Sequence, residues 1–138
     1  MATNTITSVY QGGMSFKAKA KGHDVIIDLA EASGGNNLGT SPKILMLVSL
    51  AGCTGVDVVD ILNKMRVSFS DFSINVHAHL TEVDPKIYDD VEVTYTIKVD
   101  KKNEGKVQKA VTLSQDKYCG VSDMFRAFAK LSHKIVFL

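Results

Sequence analysis

At 138 residues the chain is long enough to bury one sizeable core and too short for a second domain. Sixteen Lys and Arg stand against fifteen Asp and Glu, a net charge of +1, which leaves out the basic surface that a DNA- or RNA-binding module presents to phosphate. Hydrophobic residues at 45%, charged ones at 22% and only two prolines exclude a disordered or low-complexity chain.

β-rich stretches open the sequence at Thr3 to Tyr10, Phe16 to Lys21 and Val25 to Asp28, broken by Gly12-Gly13 and Gly22, and predict a small antiparallel meander. The polar, threonine-rich start, Met1 to Tyr10, has no apolar segment of the secretory kind. Ala32 to Thr40 is the longest run of breakers, and Ser41-Pro42 then supplies an N-cap followed by proline at the first helical position. Within Lys43 to Met65, Gly52 and Gly55 flank Cys53 and Thr54, a spacing that predicts two helical pieces meeting at the cysteine. Ile44 to Gly52 is apolar on nearly every side but falls short of the ~20 residues needed to span a bilayer. It reads as a buried helix that one small sheet cannot cover, and a second copy of the chain is the expected cover. The alternative is that the two sheets of one chain wrap it completely.

Phe69 to Thr81 and Val91 to Val99 predict a long hairpin, with Asp84-Pro85 and Asp89-Asp90 as turn material. Glu104 to Gln115 and the series Val121, Met124, Phe125, Phe128 and Ala129 have helical spacing, and Lys134 to Leu138 suits a closing strand. The resulting order, βββ, αα, ββ, αα, β, defines an α+β chain occupying residues 1–138 as a single domain.

Cys53 and Cys119 are too few to staple a secreted scaffold and have no zinc-ligand spacing, so neither a metal nor a cofactor is expected. A reducing, cytoplasmic location is the default. As inert thiols the two would fill the core. A hundred-degree step per residue instead sets Cys53 off the Val58, Val59, Ile61, Leu62 and Met65 stripe, in line with Asp57 and Asp60. Cys119 falls at the first turn of the later helix, which Asp116 could cap. A thiol reacts as its thiolate, so something must favour the anion. Free amides and the dipole at the start of a second helical piece offer part of this for Cys53, while Asp57 one turn on opposes it. The candidate cations are Lys17, Lys19 and Lys21 on one strand face, otherwise a solvated surface, and Lys43 at the helix start, about 15 Å along a straight helix from Cys53. His77 and His79 share a strand face but lack a third ligand and read as ordinary strand residues. A Cys-His hydrolase needs one of the four histidines beside Cys53 and an oxyanion donor pair, neither of which the sequence displays.

Thr40-Ser41-Pro42 leading into an apolar helix that carries Ala51-Gly52-Cys53, the following Asp57-Val58-Val59-Asp60-Ile61-Leu62, and the later Ser114-Gln115-Asp116-Lys117-Tyr118-Cys119 resemble the OsmC and Ohr proteins, the osmotically induced and organic-hydroperoxide-resistance proteins. The Asp-Val-Val and Lys-Tyr-Cys segments look most like the YhfA-type subgroup. The resemblance implies an intertwined homodimer with sheets around paired central helices, Cys53 as peroxidatic and Cys119 as resolving cysteine, an organic hydroperoxide as substrate and an external dithiol as reductant. It implies no cofactor, nucleic-acid partner or membrane. In the hydroperoxide-resistance branch a glutamate follows the helix-opening proline and pairs with an arginine from an early strand. Here Lys43 stands at the glutamate position, and the only arginines are Arg66 and Arg126, so Lys17 or Lys19 is the expected stand-in. The alternative function is an apolar-ligand-binding protein on the same fold with little peroxidase chemistry.

Overall fold

The computed structural model describes residues 2–138. The chain divides into two compact units, one ending at Leu47 and the other Val48–Leu138.

The first unit is the expected meander: β1 (Thr7–Gly12), β2 (Ser15–Ala20) and β3 (His23–Ile27) pair antiparallel in sequence order. Ala20 pairs with His23, so Lys21-Gly22 forms a two-residue turn with φ of +49° and +82°. That is the geometry for which glycine is chosen in a hairpin. The breaker-rich stretch after β3 is organised by Asp28, whose carboxylate accepts the amides of Leu29, Asn36 and Leu38 at 2.7, 3.2 and 3.1 Å. Burial pushes this carboxyl up, but the three amides outweigh it and hold it below the usual carboxylate range.

Helix α1 (Pro42–Lys64) begins at the proline that the Ser41-Pro42 pair marks. It is one uninterrupted 23-residue helix, not two pieces meeting at Cys53. Gly55 marks a close approach instead of a break: a Cβ there would sit 3.0 Å from Ile74 Cδ1. Continuity also carries the apolar character past Gly52, so that α1 is long and apolar enough, by length and composition alone, to cross a membrane. On one side of it Leu50, Thr54, Val58 and Leu62 form a buried stripe at four-residue intervals, and Thr54 is hydrogen-bonded to a strand residue. The rest of the helix is not enclosed. Ile44, Met46, Val48 and Val56 are 46%, 43%, 56% and 71% exposed.

In the second unit β4 (Ser70–Leu80) and β5 (Tyr88–Lys98) make the expected long hairpin, and β6 (Lys130–Phe137) joins the other side of β5 in parallel. Asp89 and Asp90 lie inside β5, not in the turn. Period-two burial places Val91, Val93, Tyr95 and Ile97 on the inner face of the central strand. The parallel pairing requires a crossover, supplied by α2 (Glu104–Leu113), a π-helical turn over Ser114–Tyr118, and α3 (Gly120–Arg126). Val107, Ala110, Val111 and Phe125 complete the core.

Candidate functional site

The second unit brings Cys53 and Cys119 together. Their sulfurs and a carboxylate oxygen of Asp57 all lie within 4.8 Å of one another, although the cysteines are 66 positions apart in the chain. Both are free thiols, Cys53 half-buried and Cys119 buried. Cys53 and Asp57 are one helical turn apart on α1 and so share a face, which is the alignment that the helical step predicts.

Cys119 arrives by a different route. The π-helical turn that ends α2 closes with a hydrogen bond of 2.8 Å from the Cys119 amide to the Ser114 carbonyl, and such wide turns interrupt helices most often where function needs a side chain re-aimed. α3 starts directly after it, and its N-cap is the Cys119 sulfur itself, which accepts the Ser122 amide at 3.3 Å. Asp116, the residue expected to cap, is exposed within the turn and does not serve. The neighbouring amide, Val121 N–H, donates to Cys53. The helix end that favours a Cys53 anion is therefore that of α3, because α1 has no free amides at its twelfth residue.

These amides are opposed. Burial, above all, and the adjoining Cys119 sulfur and Asp57 carboxylate push the Cys53 thiol above its ordinary range. Among the described residues no Lys, Arg or His lies within ion-pairing distance of Asp57 or bonds to either sulfur. Lys17 and Lys19, the proposed cationic partners, lie on β2 of the first unit and both reach Asp24, at 3.9 and 2.9 Å. Lys43 is exposed in the first turn of α1. His79 pairs with Asp89 at 2.7 Å on the exposed face of the second sheet and His77 lies beside it in register, so neither belongs to the cysteine centre.

Around the cysteines runs a buried polar chain that the sequence did not announce. The Ser114 hydroxyl donates to Asp57 Oδ2 at 3.0 Å and is 2.7 Å from Thr54 Oγ1. Thr54 Oγ1 is in turn 2.6 Å from the Tyr95 hydroxyl, which also accepts from Gln115 Nε2 at 2.6 Å. Arg126 donates to the Gln115 carbonyl at 2.6 Å, tying α3 to the π-helical turn. The Ser122 hydroxyl alone among the described buried side-chain groups has no partner. Beside Asp57 a cleft of about 390 Å³ opens between α1 and the π-helical turn, lined by Asp60, Ile61, Lys64, Met65, Leu113 and Tyr118. Small molecules can thus approach the carboxylate that lies within 4.8 Å of both sulfurs.

An α+β fold with a close pair of free thiols, one half-buried and one buried, defines a dithiol protein. Residues 34–134 match the family of the OsmC-like protein, and the chain belongs to that family. Protein YhfA of Escherichia coli is 26% identical to it over 122 residues, 88% of each chain. The crystal structure of a hypothetical protein from Aquifex aeolicus is 29% identical, with a TM-score of 0.81 over 100% of this chain and 99% of that one. A Legionella pneumophila structure described as an organic hydroperoxide resistance protein OsmC shares the fold at 17% identity, with a TM-score of 0.68 over 99% of this chain and 98% of that one.

Proposed function

We propose that the protein is a thiol-dependent peroxidase reducing organic hydroperoxides, with Cys53 as attacking sulfur and Cys119 as resolving thiol. The observation that carries this reading is the convergence of the two sulfurs and Asp57 within 4.8 Å. Family membership and the hydroperoxide-resistance description of the Legionella relative support it.

The Cys53 thiolate attacks the distal oxygen of ROOH, the O–O bond breaks, and the departing alkoxide takes a proton to leave as ROH. Cys53 is then a sulfenic acid. Cys119 attacks that sulfur, hydroxide departs with the thiol proton as water, and a Cys53–Cys119 disulfide forms. An external dithiol restores both thiols and is itself oxidised to a disulfide. Asp57, close to both sulfurs, is placed to pass the Cys119 proton to the departing hydroxide, and Ser114 holds its carboxylate in position.

The exposed apolar face of α1 supports a homodimer, in which a second copy covers Val48 and Val56. A partner subunit is also the natural source of the cation that the dithiol lacks. Consumption of cumene hydroperoxide in the presence of a dithiol tests the chemistry. Cys53→Ser abolishes turnover, and Cys119→Ser halts after one turnover with a sulfenate on Cys53. Wild-type turnover no faster than that of Cys53→Ser contradicts it.

One observation favours a second reading, that of an apolar-ligand-binding protein. The cleft beside Asp57 has the volume of a small-ligand site and apolar walls in Ile61, Met65 and Leu113, while Cys53 is biased toward the neutral thiol. Saturable binding of a medium-chain fatty acid without peroxide consumption separates the two.

A further inference from the structure

We propose that reduced Cys53 and Cys119, together with the Asp57 carboxylate, form a three-ligand site for a borderline-soft divalent cation of the zinc class. Two thiol sulfurs and a carboxylate oxygen are the donors such an ion takes, and three protein ligands with one position left for water or another small molecule is the open arrangement of reactive zinc sites. Tetrahedral coordination with bonds of about 2.3 Å to sulfur and about 2.0–2.2 Å to oxygen sets ligand atoms about 3.5–3.8 Å apart. The three atoms here are already within 4.8 Å of one another, so side-chain adjustment of about an ångström closes the site.

Two further features suit metal ligation. Each donor already has an outer hydrogen bond of the kind that orients ligands: the Val121 amide on Cys53, the Ser122 amide on Cys119, and the Ser114 hydroxyl on Asp57. The ionised set carries three negative charges, and none is matched by a basic side chain within ion-pairing distance among the described residues. A divalent cation supplies the missing charge. The cleft lined by Asp57, Asp60 and Tyr118 gives an approach to Asp57. The spacing of the cysteines in the sequence hid this set, because its members come from α1 and from the N-cap of α3.

Binding is an exchange and not a redox step: M²⁺ bonds to both sulfurs and the carboxylate, and the two thiol protons leave to solvent. Affinity therefore rises with pH. Metal and disulfide compete for the same sulfurs, so the cation binds the reduced protein and protects it from oxidation. The proposal does not depend on peroxidase activity.

The test uses the reduced full-length protein with Co²⁺ as a spectroscopic probe and Zn²⁺ in competition with a chromophoric chelator, in the absence of peroxide. The expected result is one equivalent of metal, a thiolate-to-cobalt charge-transfer band, and release of about two protons per Zn²⁺ near neutral pH. Cys53→Ser and Cys119→Ser each weaken the band and lower affinity at least 100-fold. Asp57→Asn lowers it at least tenfold, in line with losses seen on removing groups that support a metal. Should Cys119→Ser fail to fold, Cys53→Ser carries the comparison, since Cys53 is only half-buried. Absence of a charge-transfer band at stoichiometric cobalt, or equal affinity in Cys53→Ser or Asp57→Asn, overturns the proposal.

Discussion

Replacing Asp57 by Asn removes one negative charge beside the dithiol while leaving an oxygen to accept the Ser114 hydroxyl. The carboxylate oxygen and the Cys53 sulfur are no more than 4.8 Å apart. Two unit charges at that separation repel by about 0.9 kcal/mol in a water-like dielectric and about 3.5 kcal/mol at an effective dielectric constant near 20. Because Cys53 is only half-buried, solvent screening makes the smaller figure the appropriate one. It corresponds to about a fourfold rise (about 0.9 kcal/mol) in the thiolate fraction at neutral pH. The ultraviolet absorbance of the thiolate, titrated in Asp57→Asn and wild type against Cys53→Ser controls, reads this directly. Alkylation rates rise less, since a less basic thiolate is also a weaker nucleophile. A titration midpoint unchanged or moved upward refutes the placement of Asp57 as an adverse charge on Cys53.

Thr54→Val keeps the shape of a fully buried side chain but deletes its bonds to Tyr95 and Ser114. At about 0.5–1.5 kcal/mol for each bond it costs about 1–3 kcal/mol, read as a lower urea midpoint at constant slope. Stability falls with alkalinity for a related reason. The folded state holds the Cys53 proton longer than the unfolded chain does, so its contribution is complete below the ordinary thiol range and is lost as pH rises from about 8.5 through the higher folded value. Urea midpoints between pH 7 and 10 drop more steeply for wild type than for Cys53→Ser. Val56→Asp puts a charge on the most exposed apolar position of α1 and converts a dimer to a monomer in sedimentation, with the far-ultraviolet circular dichroism retained. A wild type that sediments as a monomer contradicts the dimer.

The meander, the start of α1 and the β4–β5 hairpin were legible because each rests on a local signal: a two-residue turn at Lys21-Gly22, a proline at the first helical position, and period-two burial. The Gly52 and Gly55 pair predicts a break that α1 does not have, because a missing side chain looks the same in sequence whether the backbone bends there or a neighbour such as Ile74 comes close. The π-helical turn has no periodicity of its own, so the sequence points to Asp116 for a cap that the Cys119 sulfur makes instead. Helical arithmetic correctly aligned Cys53 with Asp57, since both lie on one element. It could not join Cys119 to them, and the resemblance to a family supplied that link. Thr54, Ser114 and Gln115 stand in the sequence only as members of motifs, without a role of their own, for the opposite reason: polar residues at core positions look like surface ones until their partners, 20 to 60 residues away, are in place.

Peptide mapping of the protein after one equivalent of cumene hydroperoxide examines the convergence of the two sulfurs most directly. The account predicts an intrachain Cys53–Cys119 disulfide as the main product, and in Cys119→Ser a sulfenate confined to Cys53. Recovery of both cysteines as free thiols, or oxidation of either one without their joining, contradicts it.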